Sequence, residues 1–139
     1  MLLMKHILVL CTGNSCRSIM AEALINTLGK GRYEAVSAGS NPTGSVHPKS
    51  IETLKRHNID IHDPQSKSWD VFADRHFDLV ITVCDAAAAE SCPVFLGQHE
   101  KLHWSTPDPA AATSTQEDIN AAFDEAFNLL KHRIESELL

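Results

Sequence analysis

The stretch KHILVLCTGNSCRSIMAEAL, residues 5–24, decides the fold because a short apolar run, a polar loop and a helix follow one another without interruption. The run at 6–10 predicts a buried strand. A helix is predicted from Arg17 to Leu28, since a glycine follows it and apolar residues recur at helical spacing. Those residues share one face: Met20, Leu24, Ile25 and Leu28. Cys11 therefore stands at the carboxyl end of a strand, at the mouth of a loop.

Strands and helices alternate along the rest of the chain. Three more strands are predicted, at Tyr33–Ala38, His76–Cys84 and Lys101–Trp104. Helices are predicted from Pro48 to Asn58 and, after a capping Ser68, over Trp69–Ala73. Such alternation with apolar strands is typical of a parallel sheet covered by helices on both faces.

A capping box predicts the start of the C-terminal helix, with Ser114 as the cap and Glu117 three residues later. Its apolar stripe has helical spacing and comprises Ile119, Phe123, Phe127, Leu130, Ile134 and Leu138. The chain has 139 residues, which suits one domain spanning 1–139. We therefore expect a three-layer α/β/α domain with a four-stranded parallel sheet.

Composition excludes several function classes. The formal net charge of −6 argues against nucleic acid or an anionic membrane as a partner. No segment is long and apolar enough to span a bilayer. The start MLLMKHILVLC is similar to a lipoprotein signal, but Lys5 and His6 interrupt it and Leu10 is too large for the cleavage site. We expect a cytoplasmic monomer whose four cysteines are thiols.

The loop CTGNSCRS has the composition of an anion-binding nest. Backbone N–H groups between a strand and a helix N-terminus lack helical partners and can wrap around an oxyanion. The predicted substrate-binding residues are Thr12, Gly13, Asn14, Ser15, Cys16 and Arg17. Gly13 and Asn14 tolerate unusual backbone angles, and Arg17 can bind two oxygens through its planar fork. A buried cysteine before a helix-capping loop is the alternative.

The same positive field predicts a nucleophile. It should lower the pKa of Cys11 and favour the thiolate, to which Ser18 can donate a hydrogen bond. Cys16, also within the loop, is interpreted as a packed residue, with a disulfide to Cys11 as the alternative. Asp108 lies between two prolines that stiffen its turn, and a carboxylic acid there could protonate a leaving oxygen. An ordinary Asp-Pro turn is the alternative for this residue.

Two further cysteines suggest redox chemistry. Cys84 ends the third predicted strand, at the same sheet edge as Cys11, and Cys92 follows in a C-x7-C spacing. A metal site is disfavoured, because the chain has no CxxC pair and its eight histidines are scattered. Either cysteine alone could be a packed apolar residue. In a relay, Cys84 would pair with Cys11 and Cys92 would resolve that disulfide, provided the Ala-rich segment between Cys84 and Cys92 can loop out.

CTGNSCRSIMAE and VSAG (36–39) resemble the low-molecular-weight protein tyrosine phosphatases and, more closely, the thioredoxin-coupled arsenate reductases that share their fold. The cysteine pair and the HW before the acid also resemble the reductases, whose best-known members have C-x6-C. The resemblance implies arsenate reduction to arsenite in arsenic detoxification, through a Cys11–Cys84–Cys92 relay with Asp108 as general acid. It implies that no cofactor is bound and that phosphate and sulfate act as analogues of arsenate. The implied reductant is thioredoxin, or glutaredoxin with glutathione.

Two other function classes stay open from sequence. One is a phosphatase that uses only Cys11, Arg17 and Asp108 to hydrolyse phosphomonoesters. The other is an oxyanion-binding module without turnover.

The resemblance also raises the question of potassium. In some members an acidic residue in the loop after the second helix helps to hold potassium beside the catalytic loop. The remaining candidate ligands are present here: Asn14, Glu22 and Ser37. That loop, however, reads Gln65-Ser66-Lys67, and a lysine would supply the positive charge itself. We therefore expect no bound metal and little effect of potassium.

Overall fold

The computed structural model describes residues 4–61, 63–84, 100–109 and 115–139. Within these ranges the chain forms four strands: β1 (Lys5–Leu10), β2 (Tyr33–Ala38), β3 (Leu79–Thr82) and β4 (Glu100–His103). All pairings are parallel, in the order β2-β1-β3-β4. Leu10 pairs with Thr82, so the two central strands end side by side. Cys11 and Cys84 therefore leave the same edge of the sheet, where parallel α/β folds bind ligands.

The described part of the chain also forms helices around the sheet: α1 (Arg17–Leu28), α2 (Pro48–Arg56), a short 3₁₀-helix at Trp69–Phe72 and α3 (Gln116–Glu137). Alternate residues of β1 enter two apolar clusters, with Ile7 in the larger one and Leu8 in the smaller one. The larger cluster includes most of the apolar stripe of α3, and Trp69 packs against the smaller one. The predicted α/β fold with a four-stranded parallel sheet is confirmed. Within the described residues, no helix is long and apolar enough to cross a bilayer.

The bounds of α1 and β2 agree with the sequence, and several others differ. β1 begins at Lys5, one residue earlier than predicted, and β4 likewise begins and ends one residue earlier. The strand predicted at His76–Cys84 is shorter, so Cys84 lies two residues beyond its end. Helix α2 ends at Arg56, because Asn58 takes a left-handed φ of 59° and closes a turn onto the Lys55 carbonyl.

Two helix caps can be compared with their predictions. The Ser68 hydroxyl accepts the Asp70 N–H as predicted, although the helix it caps is a 3₁₀ turn. At α3 the predicted box on Ser114 is wrong, since the Thr115 hydroxyl accepts the Asp118 N–H at 3.1 Å and the helix begins one residue later. Ser114 itself lies outside the described residues.

Helix α1 is buried on more sides than the single apolar face that the sequence predicts. Ile19, Ala21 and Ala23 are buried together with the Met20, Leu24 and Ile25 face. This surrounds the helix with protein on more than one side and fixes the position of its N-terminus. The loop that precedes α1 therefore rests on a rigid support.

Candidate active site

The loop between β1 and α1 turns its carbonyl oxygens outward. They accept backbone N–H groups from the segment after β2: Thr12 from Asn41 at 3.0 Å, Gly13 from Thr43 at 3.1 Å and Ser15 from His47 at 3.0 Å. In a trans peptide the N–H of the following residue points opposite to the carbonyl. The N–H groups of Gly13, Asn14 and Cys16 are therefore directed to the inside of the loop. This is the arrangement expected of an anion-binding nest.

Asn14 fixes the loop from below. It is fully buried, its φ is 46°, and its side-chain amide donates to the Ser18 hydroxyl at 2.8 Å and to the Ser37 hydroxyl at 2.9 Å. Its side-chain oxygen accepts the Lys67 N–H at 2.9 Å. Of the two residues expected to tolerate unusual backbone angles, Asn14 is the one that adopts a positive φ. Gly13 does not have a positive φ. Its lack of a side chain leaves room for Thr43, since an added Cβ would lie 3.3 Å from the Thr43 methyl group.

Gly39 is a site residue that the sequence reasoning missed. An added Cβ would lie 2.5 Å from the carbonyl oxygen of Cys11 and closer still to that of Thr12. Only a residue without a side chain lets β2 end this close to the loop. The signal in the sequence was a glycine at a strand end, which often marks a close backbone approach.

Arg17 is held over the loop by a backbone oxygen. Its Nη1 donates to the Thr106 carbonyl at 3.0 Å, and its Nη2 lies 3.9 Å from Asp108 Oδ2. Its Nε is buried and has no hydrogen-bond partner among the residues that the structure describes. A buried donor without a partner is costly unless a ligand accepts from it. The guanidinium is therefore oriented to receive an oxyanion beside the nest.

The structure brings the Cys84 thiol to the nest, as the sheet-edge argument predicted. Cys11 and Cys84 are both buried as thiols, with no disulfide between them. The Thr12 N–H donates to Cys84 Sγ at 3.4 Å, and the Thr12 hydroxyl lies 3.6 Å from the same sulfur. Cys92 lies outside the described residues, so the relay's third thiol stays a prediction.

The predicted low pKa of Cys11 is wrong for this state of the protein. The hydrogen bond to Cys84 and the burial of the thiol raise the pKa of Cys11 well above its ordinary value, although Arg17 and the loop N–H of Gly13 act in the opposite direction. The cause is a second thiol that the fold brings close to Cys11, together with burial, and sequence could show neither. Such a pair titrates as a unit. We infer that thiolate forms on Cys11 once an oxyanion separates the pair.

Removing the neighbouring sulfur should therefore activate Cys11. In Cys84→Ala the hydrogen bond is gone while Arg17 and the nest remain, so the pKa of Cys11 falls. Alkylation of Cys11 by iodoacetamide at neutral pH should become roughly tenfold faster, as measured by peptide mass spectrometry over a pH series. An unchanged or slower rate would show that Cys84 does not hold the Cys11 proton.

A cavity of about 480 Å³ opens at this edge. It is lined by Thr12, Arg17, Cys84, Ser105, Thr106, Pro107 and Asp108. The structure thus places Asp108, whose side chain is 46% exposed, at the same opening as Arg17 and Cys84. Among the described lining residues, no side chain is aromatic. The polar groups at this opening suit a small oxyanion.

Cys16 is a packed thiol within the loop. Its side chain is buried, its Sγ lies 3.7 Å from the Ser15 hydroxyl, and burial raises the pKa of its thiol. Its contribution to the nest is its backbone N–H. The structure thus agrees with the packing interpretation of its side chain.

Beneath the loop, the charge of Lys67 acts on the carboxyl group of Glu22. Glu22 accepts a hydrogen bond from the Ser37 hydroxyl at 3.1 Å. Burial raises the pKa of the Glu22 carboxyl, while the positive charge of Lys67 acts to lower it. The structure describes no cluster of three or more His, Cys, Asp or Glu side chains that could hold a metal within its residue ranges. The lysine charge thus acts on the carboxylate that a cation would otherwise neutralise.

We therefore expect potassium to change little. Thermal stability and turnover in potassium chloride should match those in sodium chloride at equal ionic strength, within about twofold for turnover, because Lys67 already supplies the charge. Differential scanning fluorimetry and a steady-state assay would check this. A severalfold increase of activity in potassium would overturn it.

Comparison with known proteins gives a consistent result. Residues 6–138 match the family model for low molecular weight phosphotyrosine protein phosphatase. An arsenate reductase of Bacillus subtilis is 37% identical over 136 residues, covering 95% of this chain and 96% of the relative. The structure of an arsenate reductase in the phosphate binding state matches with a TM-score of 0.80 at 29% identity, over 96% of this chain and 95% of the other. A thioredoxin-dependent arsenate reductase of Corynebacterium glutamicum matches with a TM-score of 0.69 at 27% identity, over 96% of this chain and 61% of the other.

Proposed function

Because the chain belongs to the low molecular weight phosphotyrosine protein phosphatase family, with relatives that are arsenate reductases, we propose that it reduces arsenate to arsenite. The observation that carries this proposal is the Cys84 thiol beside Cys11 at the anion nest, where the Thr12 N–H donates to Cys84 Sγ at 3.4 Å. Hydrolysis of a phosphate ester needs one nucleophile and one acid. A second thiol against the nucleophile is needed only when electrons must be delivered.

The first step is attack on arsenic. Arsenate, which has the shape of phosphate, accepts hydrogen bonds from the inward N–H groups of the loop and from Arg17 Nε, which has no partner within the described ranges. Its arrival displaces Cys84 from the Thr12 N–H, and the Cys11 proton passes to the arsenate dianion, which leaves Cys11 as thiolate. The Cys11 sulfur forms a bond to arsenic while one oxygen departs as water, protonated by Asp108. Ser18 donates to the thiolate before attack.

The second step is the reduction. Cys84 thiolate attacks the Cys11 sulfur, and the electron pair of the sulfur–arsenic bond passes to arsenic. Arsenic leaves as trivalent arsenite, and a Cys11–Cys84 disulfide remains. Cys92 thiolate then attacks Cys84, which frees Cys11 and moves the disulfide to the Cys84–Cys92 pair.

An external dithiol completes the cycle. We propose a thioredoxin-type protein as the donor, supported by the third thiol of the chain and by the thioredoxin-dependent neighbour from Corynebacterium glutamicum. Glutaredoxin with glutathione is the alternative, because a glutathione route needs fewer protein thiols. The proposed location is the cytoplasm, where the thiols are kept reduced.

The proposal is tested by arsenate-dependent oxidation of NADPH with thioredoxin and thioredoxin reductase, with arsenite measured as the product. The natural protein should turn over and Cys92→Ser should not. If glutaredoxin with glutathione supports turnover and thioredoxin does not, the donor assignment is wrong. If neither donor supports arsenate reduction, the proposed activity is wrong.

Phosphomonoester hydrolysis is a second candidate, favoured by the family model and by the placement of Asp108 beside Arg17. The lack of aromatic side chains among the described lining residues weighs against a phosphotyrosine substrate. Weak hydrolysis of small phosphate esters is compatible with arsenate reduction in one site. The distinguishing feature is Cys84, which hydrolysis does not need.

A further inference from the structure

The Cys11–Cys84 thiol pair has a property that the reduction cycle does not use. We infer that the resting pair is a binding site for trivalent arsenic, which it holds as a bis-thiolate bridging the two sulfurs. The inference rests on the proposed function for the source of this ligand, since arsenite is the product released at this spot. It makes the site subject to inhibition by its own product.

The geometry of the pair suits such a bridge. Both thiols are 4% exposed, and they follow the two central strands, whose ends are locked together by the pairing of Leu10 with Thr82. The N–H of Thr12, the residue after Cys11, donates to Cys84 Sγ at 3.4 Å and so holds the Cys84 sulfur beside Cys11. The two thiols are thus placed next to each other at the sheet edge, where one arsenic atom can bond to both. Thiolate sulfur is also the ligand that soft, thiophilic centres select.

The binding reaction balances without any change of oxidation state. Arsenous acid carries three hydroxyl groups, and two of them leave as water with the protons of the Cys11 and Cys84 thiols. Two arsenic–sulfur bonds replace two arsenic–oxygen bonds, and arsenic stays trivalent. The remaining hydroxyl group has room in the cavity of about 480 Å³ at this edge.

Two features separate this site from the arsenate site. Arsenous acid is neutral at neutral pH, so its binding does not depend on the nest or on Arg17. It nevertheless competes with arsenate, because both need the Cys11 sulfur. The second thiolate bond forms within one molecule and should strengthen binding roughly 100-fold over a single thiol.

The test uses the fully reduced natural protein and arsenite alone, without arsenate or any donor system. We expect one arsenic per chain by elemental analysis. We also expect iodoacetamide to label Cys11 and Cys84 more slowly than in the arsenite-free protein, with the labelling of Cys16 and Cys92 unchanged, as mapped by peptide mass spectrometry. This mapping needs no variant. Protection of Cys84 together with Cys92, or of no pair, would overturn the inference.

Variants give the energetic test. Cys84→Ser and Cys84→Ala should each weaken arsenite binding roughly 100-fold, while the matched controls Cys16→Ser and Cys92→Ser keep it. Thermal melts identify any variant that fails to fold, and the mapping on the natural protein decides in that case. Equal affinity in Cys84→Ser and the natural protein would contradict the bridge. Since the assay contains no arsenate, its result and the arsenate-reduction result are read separately.

Discussion

Cys84→Ser is expected to lose arsenate reduction to the background level and to keep hydrolysis of a small phosphate ester such as p-nitrophenyl phosphate. A serine hydroxyl cannot take over the sulfur–sulfur bond that expels arsenite. The nest, Arg17 and Asp108, which suffice for hydrolysis, are untouched by the change. Steady-state assays of both reactions on one preparation would measure the split.

Cys11→Ser serves as the comparison, because it removes the nucleophile common to both reactions and should abolish both. Retained ester hydrolysis in Cys84→Ser also shows that the loop is folded. Arsenate reduction that survives in Cys84→Ser would mean that an outside thiol attacks Cys11 directly. Loss of both reactions in a folded Cys84→Ser protein would assign the residue to the loop's structure instead.

Gly39→Ala is expected to damage both stability and activity. The new Cβ would collide with the carbonyl oxygens of Cys11 and Thr12, which are backbone atoms that cannot rotate away. Relief requires the loop to shift, at a cost of about 3 kcal/mol, which corresponds to a melting temperature roughly 10 °C lower. A displacement of about 1 Å at the nucleophile can cost roughly 100-fold in turnover.

Gly31→Ala is the matched control for this substitution. Gly31 has a φ of 86°, and an added Cβ there meets nothing within 4 Å. Its cost should be about 1 kcal/mol from backbone strain, with turnover retained. Calorimetry and arsenate turnover on both variants separate a general glycine effect from a specific contact. A fully active Gly39→Ala protein would show that the loop tolerates displacement.

The strand–loop–helix unit could be predicted because its signals are local. The apolar run before Cys11, the polar loop and the helical spacing after Arg17 lie next to one another in sequence, and the structure reproduces them. The proximity of Cys11 and Cys84 also followed, since it needs only two parallel strands that end at one edge.

The features that sequence did not predict depend on contacts between distant parts of the chain. The Cys11 pKa is set by a sulfur 73 positions away, and loop composition alone indicated the opposite direction. The role of Gly39 needs the path of β2 beside the loop, and the orientation of Arg17 needs the Thr106 carbonyl. The predicted helix start was also wrong where a single hydrogen bond sets it: Thr115, and not Ser114, caps α3.

The central claim is that the chain itself carries two electrons from its thiols to arsenate. A single-turnover experiment tests it most directly: reduced protein is mixed with excess arsenate and no donor, and arsenite and thiols are counted. We predict one arsenite per chain, loss of two of the four thiols, and a disulfide mapped to Cys84 and Cys92. No arsenite, with all four thiols retained after prolonged incubation, would contradict the account.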